Sequence, residues 1–130
     1  MINFVKYQLP LLVWACLIFW LSSIKTIPPI KLQFIAADKL AHMSVFFVFC
    51  WFSRRALFFQ DTFPKFKKWS LFVAFLSTCL YGYLDEVHQL YVPGRTYDYY
   101  DMLADATGAL VFIALFTITN RWRSKVKQSG

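Results

Sequence analysis

The sequence predicts an all-α membrane protein, a bundle of four transmembrane helices with both termini in the cytoplasm. Of its 130 residues, 58% are hydrophobic, which is more apolar surface than a soluble domain of this length can bury. The hydrophobic residues form four continuous runs, whereas the strands of a transmembrane barrel would alternate in polarity. Only 16% of the residues are charged, and so hydrophobic a chain is not disordered.

The four apolar runs define the predicted helices, at 8–24, 36–58, 69–90 and 99–119 of a single domain, 1–130. The underlying apolar runs, 9–24, 34–53, 69–84 and 102–119, hold 16–20 residues each, close to the ~20 needed to cross a bilayer core. The first run lacks a signal-peptide cleavage pattern at Leu21-Ser22-Ser23, so we interpret it as a retained helix. The pair Pro93-Gly94 predicts a tight turn before the last helix, because proline fixes φ and glycine accepts positive φ.

The uneven distribution of charge predicts the orientation. The N-terminus, the second connection and the C-terminal tail carry ten basic residues and one acid, Asp61, a net charge of +9. The other two connections, with the adjoining helix ends, carry four basic and six acidic residues, a net charge of −2. Because basic residues concentrate on the cytoplasmic side, we expect a multi-pass protein of the cytoplasmic (inner) membrane with both termini inside. The basic residues would attract anionic lipids of the cytoplasmic face, so the overall charge does not indicate nucleic-acid binding.

Three cysteines lie in three different apolar runs, at Cys16, Cys50 and Cys79. An odd number at scattered positions favours neither a disulfide framework nor a zinc motif. We expect buried thiols that pack as small hydrophobic groups.

Most acids and both histidines fall on the predicted outer side of the membrane. Asp38 and His42 are four residues apart and share a helix face, as do Asp85 and Gln89. In lipid such polar faces turn towards the bundle interior. We therefore predict an outward-facing polar pocket between the second, third and fourth predicted helices. Its candidate ligand-binding residues are Asp38, Lys39, His42, Asp85, Glu86, Gln89, Arg95, Asp98, Asp101 and Asp105.

The order of several short motifs resembles the VanZ-like family of small bacterial membrane proteins, related to the teicoplanin (glycopeptide) resistance protein. The matching pieces are Asp38-Lys39-x-x-His42, Tyr81-Gly82-x-x-Asp85-Glu86-x-x-Gln89, Pro93-Gly94-Arg95, Asp98-x-x-Asp101 and Leu103-Ala104-Asp105-x-x-Gly108. The chain departs from the family pattern at Asp105, where asparagine is usual. The resemblance implies a role in the cell envelope linked to cell-wall antibiotics, and it names no reaction.

Two functional hypotheses use the same residues. In the first, the pocket binds a polar or anionic headgroup of a membrane lipid or lipid-linked wall precursor, and Arg95 and Lys39 hold the anion. In the second, the protein is an intramembrane enzyme acting on such a headgroup, with His42 as acid/base and Asp85 or Asp101 as partner. The sequence leaves open whether the protein is an enzyme. A proton-coupled transporter or a structural subunit is a third alternative that requires an oligomer; the oligomeric state is open.

Each candidate also has a structural interpretation. His42 is equally explained by helix packing through a facing acid, and Arg95 by pairing with Asp98. Of the adjacent acids, Asp85 is favoured over Glu86 as the inward member. The serines Ser22 and Ser23 are interpreted as helix-packing residues.

A metal site is the least supported alternative. Imidazole and carboxylate groups of His42, Asp85, His88 and Asp101 are a set that suits a transition metal. No H-E-x-x-H or comparable spacing is present, however. We therefore predict neither a metal nor a cofactor.

Overall fold

A computed structural model describes residues 3–25 and 32–128, and within these ranges the chain is helical and contains no strand. The helices are α1 (Leu9–Ser22), α2 (Leu32–Phe59), α3 (Pro64–Lys68), α4 (Ser70–Gln89) and α5 (Tyr99–Gln128). A π-helical segment, Phe4–Gln8, continues directly into α1. The predicted all-α fold class is therefore confirmed.

The helix limits differ from the predicted ones mainly at the ends. The second helix begins at Leu32 rather than at 36, and α5 continues to Gln128 rather than ending at 119. The extension of α5 is exposed and rich in lysine and arginine, whose unbranched side chains lose little freedom in a helix. The short α3 was not predicted; it begins at Pro64, and proline suits a first helical turn because no backbone N–H is needed there.

Two of the described helices are long and apolar enough to cross a membrane, the continuous segment Phe4–Ser22 and α5. Only 6% of the apolar window of the first and 22% of that of the second is buried inside the protein, so most of these hydrophobic side chains lie on the outer surface of the bundle. Charged pairs such as Arg54-Arg55 in α2 and Asp85-Glu86 in α4 lower the hydropathy of those helices. Their crossing of the membrane, and the cytoplasmic termini, remain predictions.

The second helix is central to the bundle. It packs most extensively against α5 and next against α4. Three of the four buried residues where these helices meet have small side chains, and such residues allow the close approach on which helix association in lipid relies; larger, partly buried side chains surround them. The buried residues of this core are Cys50, Ala74, Ala109 and Phe112.

The first helix lies at the periphery and contacts α2 and α4. Two hydrogen bonds from side chains to backbone carbonyl groups hold α1 in place, one donated by α1 and one accepted by it. The indole of Trp14 donates to the Val45 carbonyl at 3.1 Å, and the Tyr81 hydroxyl of α4 donates to the Ala15 carbonyl at 2.7 Å. Most of the remaining surface of α1 is exposed and apolar.

The three cysteines are free thiols. The prediction of buried packing is confirmed for Cys50, whereas Cys79 is only partly buried. It is wrong for Cys16, which is exposed, because the peripheral α1 contacts the bundle along one side only.

The connection between α4 and α5 contains the predicted tight turn. Gly94 has a φ of 84°, and the backbone N–H of Arg95 donates to the Val92 carbonyl at 3.1 Å. Pro93 followed by a glycine with positive φ is the signature of a type II turn. The turn prediction is confirmed.

The distance between α2 and α5 depends on Gly108, where an added Cβ would overlap the backbone carbonyl of Met43. We expect Gly108→Ala to push the helices apart and lower the free energy of unfolding by about 1–3 kcal/mol, the usual cost of overpacking. Thermal unfolding in detergent measures this. Ala114→Val, which adds methyl groups on an exposed part of α5, is the control, and equal stability of the two variants would contradict the close approach.

Candidate functional site

Charged residues of three helices meet at one end of the bundle, where α2 begins, α4 ends and α5 begins. Contacts from Lys39 to Asp101 and from Asp98 to Glu86 join these helix ends. The group contains most of the predicted site residues and is called the charged cluster below. Its members are Asp38, Lys39, His42, Glu86, Asp98, Asp101 and Asp105.

Lys39 is the ammonium ion at the centre of the charged cluster. Its Nζ donates to Asp98 Oδ2 and to Asp101 Oδ1, each at 2.5 Å, and lies 3.8 Å from Asp38 Oδ2. One side chain thus connects α2 with α5 and with the connection before it. Because three carboxylates share its charge, Lys39 offers less positive charge to an external anion than the sequence led us to expect.

Asp98 lies in the connection, outside the apolar segments, and its pKa is below the ordinary value. Partial burial alone would raise the pKa of the Asp98 carboxyl. Hydrogen bonds from Lys39 and from the backbone N–H of Tyr100, the latter at 2.8 Å, outweigh that effect, because they favour the ionised form. The Lys39–Asp98 contact therefore persists into acidic solution.

His42 lies one helical turn beyond Asp38 and faces α5. Its Nδ1 is 3.0 Å from Oδ1 of Asp105, and its Nε2 is 3.9 Å from Oδ2 of Asp101, beyond hydrogen-bonding distance. In the neutral imidazole, donation from Nδ1 to Asp105 leaves a lone pair on Nε2. The histidine thus presents an oriented nitrogen to its surroundings.

Asp105 is nearly inaccessible, at 1% exposure. Its Oδ2 has no hydrogen-bond partner among the described residues, and it faces α4 at Gly82, where an added Cβ would be 2.7 Å away. Glycine at this position makes room for the carboxylate. Gly82 was part of a motif noted in the sequence. The spacing of that motif did not indicate that the glycine faces Asp105 of α5.

Glu86 is fully buried and anchors the connection that follows α4. Its Oε2 accepts a hydrogen bond from the backbone N–H of Asp98 at 2.9 Å. The Gln89 amide donates to Glu86 Oε1 at 3.2 Å and to Asp85 Oδ2 at 3.1 Å. Both adjacent acids are buried. Glu86 is bonded to the connection before α5, whereas Asp85 lines a cavity.

Arg95 lies at the C-terminal end of α1. Its Nε and Nη2 donate to the carbonyl oxygens of Ile24 and Leu21, each at 3.4 Å. A cation is favourable there because the last carbonyl groups of a helix lack partners. The suggested pairing of Arg95 with Asp98 does not form in the described structure, where Lys39 binds Asp98 instead.

A cavity of about 170 Å³ lies beside His42. Its walls come from α1, α2, α4 and the connection after α4, and its polar lining consists of Ser22, Asp38, His42, Asp85, Gln89 and Arg95. The walls differ from the prediction in that α1 takes the place of the fourth predicted helix. The acids of α5 do not line the cavity; they contact the His42 ring, at Asp105 and Asp101.

Ser23 and His88 join α1 to α4 outside the charged cluster. The Ser23 hydroxyl is 2.9 Å from Nε2 of His88, and the imidazole ring lies 4.4 Å from the Phe19 ring between centroids. Ser22 donates to the Phe19 carbonyl of its own helix at 3.0 Å. These contacts agree with the interpretation of both serines as helix-packing residues.

Three side chains in the charged cluster have the geometry of metal ligands. One nitrogen or oxygen atom each of Asp38, His42 and Asp101 lies within 4.8 Å of the other two. This set differs from the one suggested by the sequence, because it lacks Asp85 and His88. Helical spacing brought Asp38 next to His42, but only the packing of α2 against α5 adds Asp101.

A sequence model of the VanZ/LLP1 family matches residues 5–120. The match includes the whole charged cluster and every residue of the cavity lining. No curated protein and no solved structure matches the chain.

The lowered pKa of Asp98 predicts a pH-dependent contribution to stability. That contribution is complete above the unfolded-state pKa of about 4 and is lost as the pH falls through the lower folded-state pKa. We expect Asp98→Asn to lower the unfolding midpoint at pH 7, and the difference from wild type to shrink below about pH 4. Thermal unfolding across this range measures the difference, and one that stayed constant with pH would contradict the assignment.

Proposed function

The chain belongs to the VanZ/LLP1 family, and we propose that it is a bacterial envelope protein whose cavity faces outward and binds a polar or anionic headgroup. The headgroup belongs to a membrane lipid or to a lipid-linked wall precursor. Family membership is consistent with a membrane protein linked to glycopeptide resistance. In this proposal four helices, α1, α2, α4 and α5, cross the inner membrane, and both termini are cytoplasmic.

The cavity is the observation that carries this proposal. It places four ionisable side chains and a buried amide next to helices whose outer surfaces are apolar. Ionisable groups inside a membrane bundle are costly and usually mark a functional site.

The separation of charge along the bundle supports the outward orientation. The charged cluster lies at the N-terminal ends of α2 and α5, whereas Arg54, Arg55 and the basic tail of α5 lie towards the opposite ends of the same helices. Because basic residues favour the cytoplasmic side, the cavity would open towards the outside. Lipid headgroups and wall precursors are both present there.

The chemistry of the lining suits part of a headgroup. A volume of about 170 Å³ corresponds to about six water molecules at ~30 Å³ each, enough for a phosphate or a few hydroxyl groups. Asp85 and Gln89 supply acceptors and a donor for hydroxyl groups. The bonds from Arg95 to α1 are long, at 3.4 Å, so its guanidinium can turn to a phosphate at a small energetic cost.

The His42–Asp105 pair favours a second candidate function, an enzyme acting on the same headgroup. A carboxylate on Nδ1 orients the imidazole and leaves Nε2 to accept a proton, the arrangement of a general base. His42 also lines the cavity. In this alternative Asp85 or Asp101 would assist His42.

The proposed topology predicts which connections are accessible from outside the cell. In a variant whose three native cysteines are replaced by alanine, Thr96→Cys is expected to react with a membrane-impermeant maleimide in intact cells. Thr62→Cys, equally exposed in the connection after α2, is the matched control and should react only after permeabilisation. The reverse labelling pattern would overturn the orientation.

Filling the cavity is expected to weaken headgroup binding without disturbing the charged cluster. Ala41 lines the cavity, so Ala41→Phe should weaken binding of undecaprenyl phosphate, lipid II or phosphatidylglycerol in nanodiscs by about tenfold or more, equivalent to ~1.4 kcal/mol. Leu40→Phe, on the neighbouring exposed face, should bind as wild type. Native mass spectrometry measures both.

The three lipids in that experiment separate a precursor from a bulk phospholipid as the ligand. Equal binding by the two phenylalanine variants would contradict the cavity as the binding site. The same samples report turnover: a product formed by wild type and absent with His42→Ala would establish the enzyme instead of the pure binding protein.

A further inference from the structure

The charged cluster holds more negative charge than its cations balance. Within the described part of the chain, four aspartates surround Lys39 and His42: Asp38, Asp98, Asp101 and Asp105. With Glu86 included, the charged cluster contains five carboxyl groups, against one ammonium ion and one imidazole. Asp101 and Asp105 are buried, so water does little to screen them, and unbalanced buried charge is expensive. A divalent cation would offset part of the excess.

We propose that Asp38, His42 and Asp101 bind a divalent transition-metal ion of the chemical class of Zn²⁺. Metal–ligand bonds of about 2.0–2.2 Å allow two ligand atoms of one ion to be up to ~4.4 Å apart. The separation of His42 Nε2 and Asp101 Oδ2, 3.9 Å, fits this limit. The three ligand atoms lie within 4.8 Å of one another, and the Asp38 side chain, which is 50% exposed, can rotate to bring its carboxylate closer to the other two.

The hydrogen bonds around the ligands support this assignment. Asp105 binds Nδ1 of His42, and a carboxylate on the second nitrogen of a metal-binding histidine is the usual arrangement, since it fixes the ring and increases its basicity. Lys39 occupies only Oδ1 of Asp101 and leaves Oδ2 directed towards His42. The lone pair on Nε2 makes no hydrogen bond among the described residues and is available to an ion.

The cavity supplies the open side of the site. Asp38 and His42 belong both to the ligand set and to the cavity lining, so an ion held by them borders the cavity. Three protein ligands with one position left for water or another oxygen is typical of zinc sites that interact with a ligand. The ion would add positive charge where an anionic headgroup enters, but the site does not depend on headgroup binding.

Zinc binding by the full-length protein in detergent, without added lipid, tests the proposal. After removal of metal with a chelator, Zn²⁺ is titrated against a chromophoric chelator. We expect one ion per chain, with binding weakened at least about tenfold by Asp38→Asn, His42→Ala or Asp105→Ala, the last because it orients the histidine. His88→Ala removes the other histidine of the chain and is expected to bind Zn²⁺ as wild type.

A conservative variant and a spectroscopic readout separate loss of the metal site from misfolding and from binding at a cysteine. Asp38 is exposed, so Asp38→Asn leaves the fold intact even if His42→Ala does not. Cobalt(II) gives visible bands with nitrogen and oxygen ligands, and a thiolate charge-transfer band would instead place the ion on a cysteine. That band, the absence of binding, or unchanged binding by Asp38→Asn would each overturn the proposal. Because no lipid is present, these outcomes are independent of headgroup binding.

Discussion

The Lys39 ammonium ion determines how the polar end of the bundle is assembled. It lies among carboxylates of α2, of α5 and of the connection between α4 and α5, which would repel one another in its absence. By holding Asp98, it also fixes the backbone N–H that Glu86 binds. The connection is thus attached from two sides, and the turn at Gly94 then directs Arg95 to the end of α1. The walls that α2 and the connection after α4 give to the cavity depend on this arrangement, whereas α1 is held by separate contacts from Trp14 and Tyr81.

Close packing of α2 on α5 brings the polar side chains of the two helices within hydrogen-bonding distance. Met43 meets Gly108 backbone to backbone, and His42 and Asp105 lie within one helical turn of that point. A side chain at 108 would therefore widen the same gap that the imidazole and the carboxylate bridge. The apolar core and the charged cluster share one helix spacing, so neither is independent of the other.

Sequence reasoning located the elements and their polar faces better than it located partners. Helical periodicity placed Asp38 with His42, and the Pro93-Gly94 pair predicted its turn, because both depend on local geometry alone. It did not reveal that α1 lines the cavity, that Arg95 binds the end of α1, or that Cys16 is exposed. Each of these depends on where α1 packs against the rest of the bundle, which the pattern of a single segment does not determine. The candidate metal ligands Asp38, His42 and Asp101 were likewise not predicted as a set, because Asp101 comes from a different helix.

Gly82 and Asp105 occupy a single small space between α4 and α5. Oδ2 of Asp105, which has no hydrogen-bond partner in the described part of the chain, lies 2.7 Å from the position that a Cβ at 82 would take. The side chains at the two positions therefore compete for the same volume. Aspartate and asparagine have nearly the same shape and would both fit, whereas glutamate is one methylene longer and would require more space. Sequence variation at the two positions should therefore be coupled: a residue larger than glycine at 82 would be compatible only with a smaller one at 105.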